Sequence, residues 1–305
     1  MPTAYRGILY AIITALLWGV LAIFLKVSLK GLSPADISWF RFTLAFLILA
    51  LYYYFQKRYY LRILRRPPLI LVVATLCLAV NYYGFVEGVN LTTPSIAQIF
   101  IQLGPVLLAV AGFVFFREKA TWRQIAGLLL VMAGLLVFYH EQLELIVTGK
   151  GTWQTGVVWI LVAAVTWAIY SILLKVLVLR YPPMQLNLVI FGLPVLLYLP
   201  FVDFSHFARL GINEWGILVF LGLNTLFAYG LLSMAIHHIE ANKVSVILIL
   251  NPILTLALMA IISGSQASWI EHEHFTMLTL IGAIIVLTGA VMTVFRKNKP
   301  AKTTA

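Results

Sequence analysis

The chain is short of charge and of cysteine. Aspartate and glutamate together number ten in 305 residues, charged residues make up 10%, and Cys77 is the single cysteine. A soluble globular domain carries about 25% charged residues, so a water-soluble enzyme is excluded. One cysteine rules out an internal disulfide and leaves the redox compartment open. There is no glycine-rich phosphate loop or nucleotide-binding motif, which argues against direct ATP drive within this chain. The formal charge of +11 does not mark a nucleic-acid partner, because the basic residues lie between apolar runs and not on one water-facing surface.

What is abundant is apolar length, at 62% hydrophobic residues. Runs bounded by charged or Pro/Gly-marked breaks predict ten helices, at approximately 7–30, 34–55, 69–90, 94–116, 122–139, 154–179, 184–202, 214–237, 242–263 and 275–295. A spanning helix needs about 20 residues, roughly twice the length of a membrane barrel strand. Helices also satisfy every backbone polar group within the segment, as lipid demands. The first run is too long for a signal peptide and lacks a plain small-x-small cleavage site, so it reads as a span.

Lysine and arginine set the orientation. With the N-terminus inside, cytoplasmic segments carry fifteen of them, including Arg6, the Lys57–Arg66 cluster, Lys243 and the tail from Arg296; external segments keep only Lys30, Lys150 and Arg209. This bias predicts that both termini face the cytoplasm.

An internal repeat runs through the chain. Gly7, Ala15, Trp18, Ile23, Leu25 and Lys26 match Gly156, Ala164, Trp167, Ile172, Leu174 and Lys175 at an offset of 149, and Pro34 matches Pro183 at the same offset. Pro105 matches Pro252 at 147, and Glu118, Thr121, Gly127 and Gly134 match Glu273, Thr276, Gly282 and Gly289 at 155. The jump falls in the long loop Ser263–His274, where insertion costs little. Five helices is an odd number, so the second repeat must enter the membrane from the opposite face. The expected fold is therefore an all-α integral membrane protein of ten helices in two inverted five-helix repeats. Its parts are 1–140, 154–296 and a basic tail 297–305. Inverted repeats are the architecture of many secondary transporters, because exchanging the conformations of the halves alternates access.

The opening span with Trp18 and Lys26, the Pro34–Arg41 start of span two, the Asn90–Pro105 run and the Glu118…Gly127…Gly134 stretch with its echo Glu273…Gly282…Gly289 carry a resemblance. Together they resemble the EamA-type, ten-helix branch of the drug/metabolite transporter superfamily, from about Gly7 to Phe295. The resemblance implies that helices one, three, four, six, eight and nine line a central cavity and that five and ten lie outside it. It also implies a cell-membrane location, a bacterial inner membrane. This sequence departs from the pattern in the Ser263–His274 insertion and in having Ile190 where the repeat would place a counterpart of Arg41.

Counting 1.5 Å per helical residue places several polar and aromatic residues near the bilayer midplane. They are Trp18, Asn81, Gln98, Gln102, Trp167, Asn224, Tyr229 and Asn251. Amides facing lipid are costly, so these are expected to line a substrate cavity or to bond between helices. Pro105 and Pro252 remove backbone donors and are expected to free the carbonyls of Ile101 and Leu248, as a pair of hinges or of packing kinks. Lys26 and Lys175 sit about 30 Å along their helices, where they can snorkel to the interface. Arg41 lies about 10 Å inside from Pro34, and Glu87 is at a compatible depth, which suggests a structural or coupling ion pair between them. The Glu271–His274 run resembles metal ligands but sits in a loop without a visible supporting shell.

No metal, cofactor or catalytic residue is expected, since the midplane set holds no acid–base pair. The function these features suggest is secondary transport of a small neutral or zwitterionic, amino-acid-like metabolite, by export or exchange. A proton or counter-substrate is the coupling partner to consider, and the oligomeric state is left open. The expected cavity depth carries no Lys or Arg, which disfavours sugar phosphates. Export of amphipathic toxic compounds is the alternative, and an intramembrane enzyme or a non-transporting membrane protein are more distant ones.

Overall fold

The computed structural model describes residues 3–115, 122–138, 140, 152–239, 244, 247–248, 250–273 and 275–294, and the regular elements among them are all helical. They are α1 (Thr3–Ser28), α2 (Pro34–Gln56), α3 (Leu69–Leu91), α4 (Pro94–Phe100), α5 (Leu103–Phe115), α6 (Trp122–Phe138), α7 (Thr152–Leu177), α8 (Pro183–Tyr198), α9 (Phe204–Phe207), α10 (Ile212–His238), α11 (Leu250–Gly264) and α12 (Met277–Val294). Six of these segments are long and apolar enough to cross a membrane, and four shorter apolar helices accompany them among the described residues. Leu47, Leu51 and Phe55 on α2, Leu129 and Leu136 on α6, and Ile284 on α12 are exposed and apolar, the surface of a helix facing lipid. Glu118, Thr121, Lys243, His274 and the tail 297–305, all used in the sequence reading, lie outside the described residues.

Local chemistry fixes the helix starts. Pro34 opens α2, the Ser33 hydroxyl accepts the Asp36 N–H at 3.2 Å, and the Asp36 carboxylate accepts the Ser33 N–H at 2.9 Å. This reciprocal pair satisfies two of the four free donors at a helix start. Pro94 opens α4 in the same way behind the Thr93 side chain, which accepts the Ile96 N–H.

The helices pack in antiparallel pairs. Trp18 of α1 meets Tyr229 of α10 and Phe24 meets Phe220, so one helix climbs as the other descends. Tyr83 of α3 meets Trp159 of α7, while a Cβ built on Gly156, earlier in α7, would lie 2.7 Å from Thr92, just beyond the C-terminal end of α3. The α6–α12 pair is the closest: a Cβ on Gly134 would lie 2.6 Å from the Val286 nitrogen, and one on Gly289 2.6 Å from the Val131 nitrogen. Helix association in lipid relies on close van der Waals packing, which is why glycines concentrate at these crossings.

Three features depart from the sequence reading. The expected continuous span 94–116 breaks at Ile101–Gln102 into α4 and α5. The Ile101 carbonyl was expected to be free opposite Pro105, but it accepts the Gly104 N–H at 2.9 Å, a tighter turn that takes up the lost bond. Short helical turns at Arg58–Leu64 and Phe204–Phe207 were not expected, and the expected span 184–202 ends in a separate short turn at Leu199–Phe201. They are too brief to leave a periodic signal.

Candidate functional site

α1, α2, α3, α4, α5, α7, α10 and α11 surround a cavity with about 610 Å³ of space between atoms, part of it open to the exterior. Its wall includes Trp18, Arg41, Asn81, Tyr82, Phe85, Gln98, Gln102, Pro105, Trp167, Tyr229 and Asn251. Seven of the eight residues expected at the midplane are thus brought together, from helices that are far apart in sequence. Asn224 is not on the wall: its Nδ2 donates to the Leu17 carbonyl at 2.7 Å and ties α10 to α1. Pro105 lines the cavity, whereas Pro252 is buried beside the wall residue Asn251.

The amide donors on the wall hold the helices. Gln98 Nε2 donates to the Trp18 carbonyl at 2.9 Å, and Asn81 Nδ2 to the Ala163 carbonyl at 2.8 Å. Their geometry fixes the backbone of α1 and α7 against α4 and α3. The acceptor ends are a different matter. Gln102 Oε1 and Asn251 Oδ1 are buried without a hydrogen-bond partner among the described residues. Buried oxygens of this kind normally find a partner, so unpaired ones on a cavity wall are places for a ligand donor or an ordered water. Aromatic rings cluster on the wall, with Trp18 and Tyr229 centroids 5.1 Å apart and Tyr82 and Tyr229 5.3 Å apart.

Two expectations about charge are corrected. The Arg41–Glu87 pair does not form. Arg41 Nε donates to Thr225 Oγ1 at 3.0 Å, and the guanidinium carbon lies 4.5 Å from the Tyr82 ring centroid. Glu87 is half-buried and accepts from Asn90 Nδ2 at 3.3 Å, one turn along its own helix. The cavity was also expected to lack Lys and Arg, but Arg41 stands on its wall. The depth count followed the backbone alone and left out the reach of the arginine side chain. Tyr82 and Phe85 were missed because they adjoin apolar residues and carry no amide or charge to single them out.

A polar network stands at one end of the bundle. Lys26 Nζ donates to the carbonyls of Thr92 at 2.8 Å, Asn90 at 3.2 Å and Val89 at 3.3 Å, and lies 3.5 Å from Glu271. It caps the free carbonyls at the end of α3, a stronger arrangement than snorkelling into water. The Glu271–Glu273 run does not converge on one point. Glu271 faces Lys26, His272 Nε2 lies 3.0 Å from the Ala267 carbonyl, and Glu273 accepts the Ser95 N–H at 3.2 Å. Burial pushes the Glu273 carboxyl above its ordinary value.

A multi-pass helical bundle with a polar-and-aromatic cavity between its helices is the form of an integral membrane transporter. Comparison with known proteins places it more closely. The chain belongs to the EamA-like transporter family, whose model matches residues 5–140 and residues 154–295. It is 32% identical over 288 residues to the uncharacterized inner membrane transporter YhbE of Escherichia coli K12, covering 93% of this chain and 90% of that one. It is 24% identical to a probable amino-acid metabolite efflux pump of Salmonella typhimurium, covering 93% of each chain. A solved crystal structure shares the fold at a TM-score of 0.68 and 19% identity, covering 94% of this chain and 96% of the other. The chain is a multi-pass membrane protein of a transporter family, and that family implies a small-molecule substrate.

Proposed function

We propose that the protein is a secondary transporter that moves a small amino-acid-like metabolite out of the cytoplasm, or exchanges it, by alternating access. The observation that carries this reading is the cavity: amides and aromatic rings from six helices and the α4–α5 break meet on its wall, with two amide oxygens unpaired among the described residues. The Salmonella relative, named a probable amino-acid metabolite efflux pump, supports the substrate class.

In this reading ten helices form two inverted repeats. The antiparallel pairing of α1 with α10 and of α3 with α7 supports it, as does one pair of hydrogen bonds. Asn81 Nδ2 on α3 donates to the Ala163 carbonyl, and Thr14 Oγ1 on α1 donates to the Ala228 carbonyl at 3.3 Å. Thr14 and Ala163 are 149 positions apart and Asn81 and Ala228 147, the two offsets of the sequence repeat. The same contact is thus made twice, with the donor on opposite partners. Pro105 and Pro252 serve as the hinges, and both termini face the cytoplasm. A proton or counter-substrate drives the cycle.

Counterflow of radiolabelled amino acids in proteoliposomes tests the transport reading. Exchange above that of empty liposomes supports it, and its absence across the amino acids counts against it. Orientation is tested separately with cysteine introduced at Ser268 in a Cys77→Ala background. Labelling by an impermeant thiol reagent on whole cells is expected, while cysteine at Lys302 stays protected.

A further inference from the structure

We infer that Arg41 is the binding group for a carboxylate on the transported molecule, so that the cargo carries a negative end and is never a simple cation. This rests on the transport reading above. Arg41 is 2% exposed and lies on the cavity wall. A guanidinium has five N–H donors. Among the described residues its hydrogen-bond acceptor is the neutral Thr225 hydroxyl, reached from Nε, and its other neighbour is the face of Tyr82. Among the described residues, no aspartate or glutamate lines the cavity. A buried cation without an acidic partner is strongly unfavourable, and an anion that supplies parallel acceptor oxygens removes the deficit. Among the described residues, the cavity wall therefore carries one positive charge and no negative one to match it.

The rest of the wall says what lies behind the carboxylate. Gln102 Oε1 and Asn251 Oδ1 are unpaired acceptors, suited to N–H donors. Trp18, Tyr229 and Trp167 offer ring faces to an apolar body or an ammonium. One carboxylate, N–H donors and an apolar body describe a free amino acid or a close derivative. A phosphomonoester, with nearly two negative charges, would leave one unmet by the single Arg41. Cationic amphiphiles would face Arg41 with like charge.

The test uses the full-length protein in detergent, read by the fluorescence of the cavity tryptophans. It is titrated with the proteinogenic amino acids, each alongside its carboxamide and its decarboxylated amine, and with inorganic phosphate. The best-binding acid should lose about tenfold or more in affinity as amide or amine, the scale of one charge-assisted hydrogen-bonded contact. Arg41→Gln should abolish that difference and Arg41→Lys should keep part of it. Amide or amine binding as tightly as the acid would overturn the inference. So would phosphate binding more tightly than any acid, or no acid binding at all. The wild-type comparison decides even where Arg41→Gln does not fold. Counterflow with the same compounds separates the two readings. Exchange of an amine that is unaffected by Arg41→Gln keeps the transporter and overturns the carboxylate site. Arg41-dependent binding of acids without exchange keeps the site and overturns the transporter.

Discussion

Asp36 and His206 are 170 residues apart in the chain, yet His206 Nδ1 lies 2.8 Å from Asp36 Oδ2. The same carboxylate accepts the N–H of Ser33 at 2.9 Å and, through Oδ1, the N–H of Asp203 at 2.9 Å. A fully buried side chain with three donors aimed at it is held as an acceptor, which puts the hydrogen on His206 Nδ1. The contact ties the start of α2 to the loop after α8 and so joins the two halves of the chain at one end of the bundle. Asp36→Asn keeps the shape but turns one acceptor into a donor facing donors. Thermal unfolding in detergent should show a loss of about 1–3 kcal/mol. His206→Ala should cost less, because the His206 side chain is 34% exposed. An unchanged Tm in Asp36→Asn would show that the carboxylate does not hold this junction.

Glu273 gives a pH dependence with a definite sign. Burial raises its carboxyl above the ordinary 4.5, against the opposing hydrogen bonds from Ser95 and Thr93 and the charge of Lys26. The folded state therefore holds the proton more tightly than the unfolded chain does. Its contribution is fully favourable below the ordinary value and is lost as the pH rises through the raised one. Tm measured from acid to neutral pH should fall across that window, and Glu273→Gln should flatten the fall. Lys26, Glu271 and His272 share the network, so the comparison with Glu273→Gln isolates this group. A Tm profile identical in the variant would refute it.

The helical spans were legible because lipid leaves a simple signature: α2 and α3 fall where apolar length put them, at 34–55 and 69–90. The cavity residues were legible for the same reason, since amides such as Asn81 and Gln102 stand out in apolar runs and must turn inward. What the sequence hid was side-chain reach and pairing. Arg41 and Glu87 matched in depth, but depth along a helix says nothing of the direction around it, and they found Thr225 and Asn90 instead. Asp36 was passed over entirely, because its partners Asp203 and His206 lie in a turn that carries no periodic signal.

Glycine at the α6–α12 crossing should be irreplaceable. A Cβ on Gly282 would overlap the backbone of Phe138, and one on Gly134 would press on Val286. Backbone cannot step aside as a flexible side chain can, so Gly134→Ala and Gly282→Ala should each cost about 1–3 kcal/mol of stability. Gly216, inside α10, has nothing within 4 Å of a built Cβ and is the control. Gly216→Ala should be neutral or stabilising by up to about 1 kcal/mol, because alanine favours helix. Equal Tm shifts at all three positions would show that close approach is not the cause.

The break between α4 and α5 makes the hinge testable. Pro105 supplies no N–H, so the Ile101 carbonyl bonds to Gly104 in a tighter turn and the helix interrupts beside Gln102, a wall residue. If the two arms of this segment move separately as the cavity changes its opening, restoring a donor at position 105 should stiffen the joint. Pro105→Ala allows the regular bond from residue 105 to Ile101 and favours a straight, continuous helix. Its counterflow rate should drop several-fold while the amount of folded, membrane-inserted protein stays the same or rises. Pro252→Ala should act in the same direction, and the double variant should be slower than either. Substrate affinity should change less than rate, since neither proline offers a polar side chain to a ligand. Full-speed counterflow in the double alanine variant would remove the prolines from the mechanism and leave them as packing kinks.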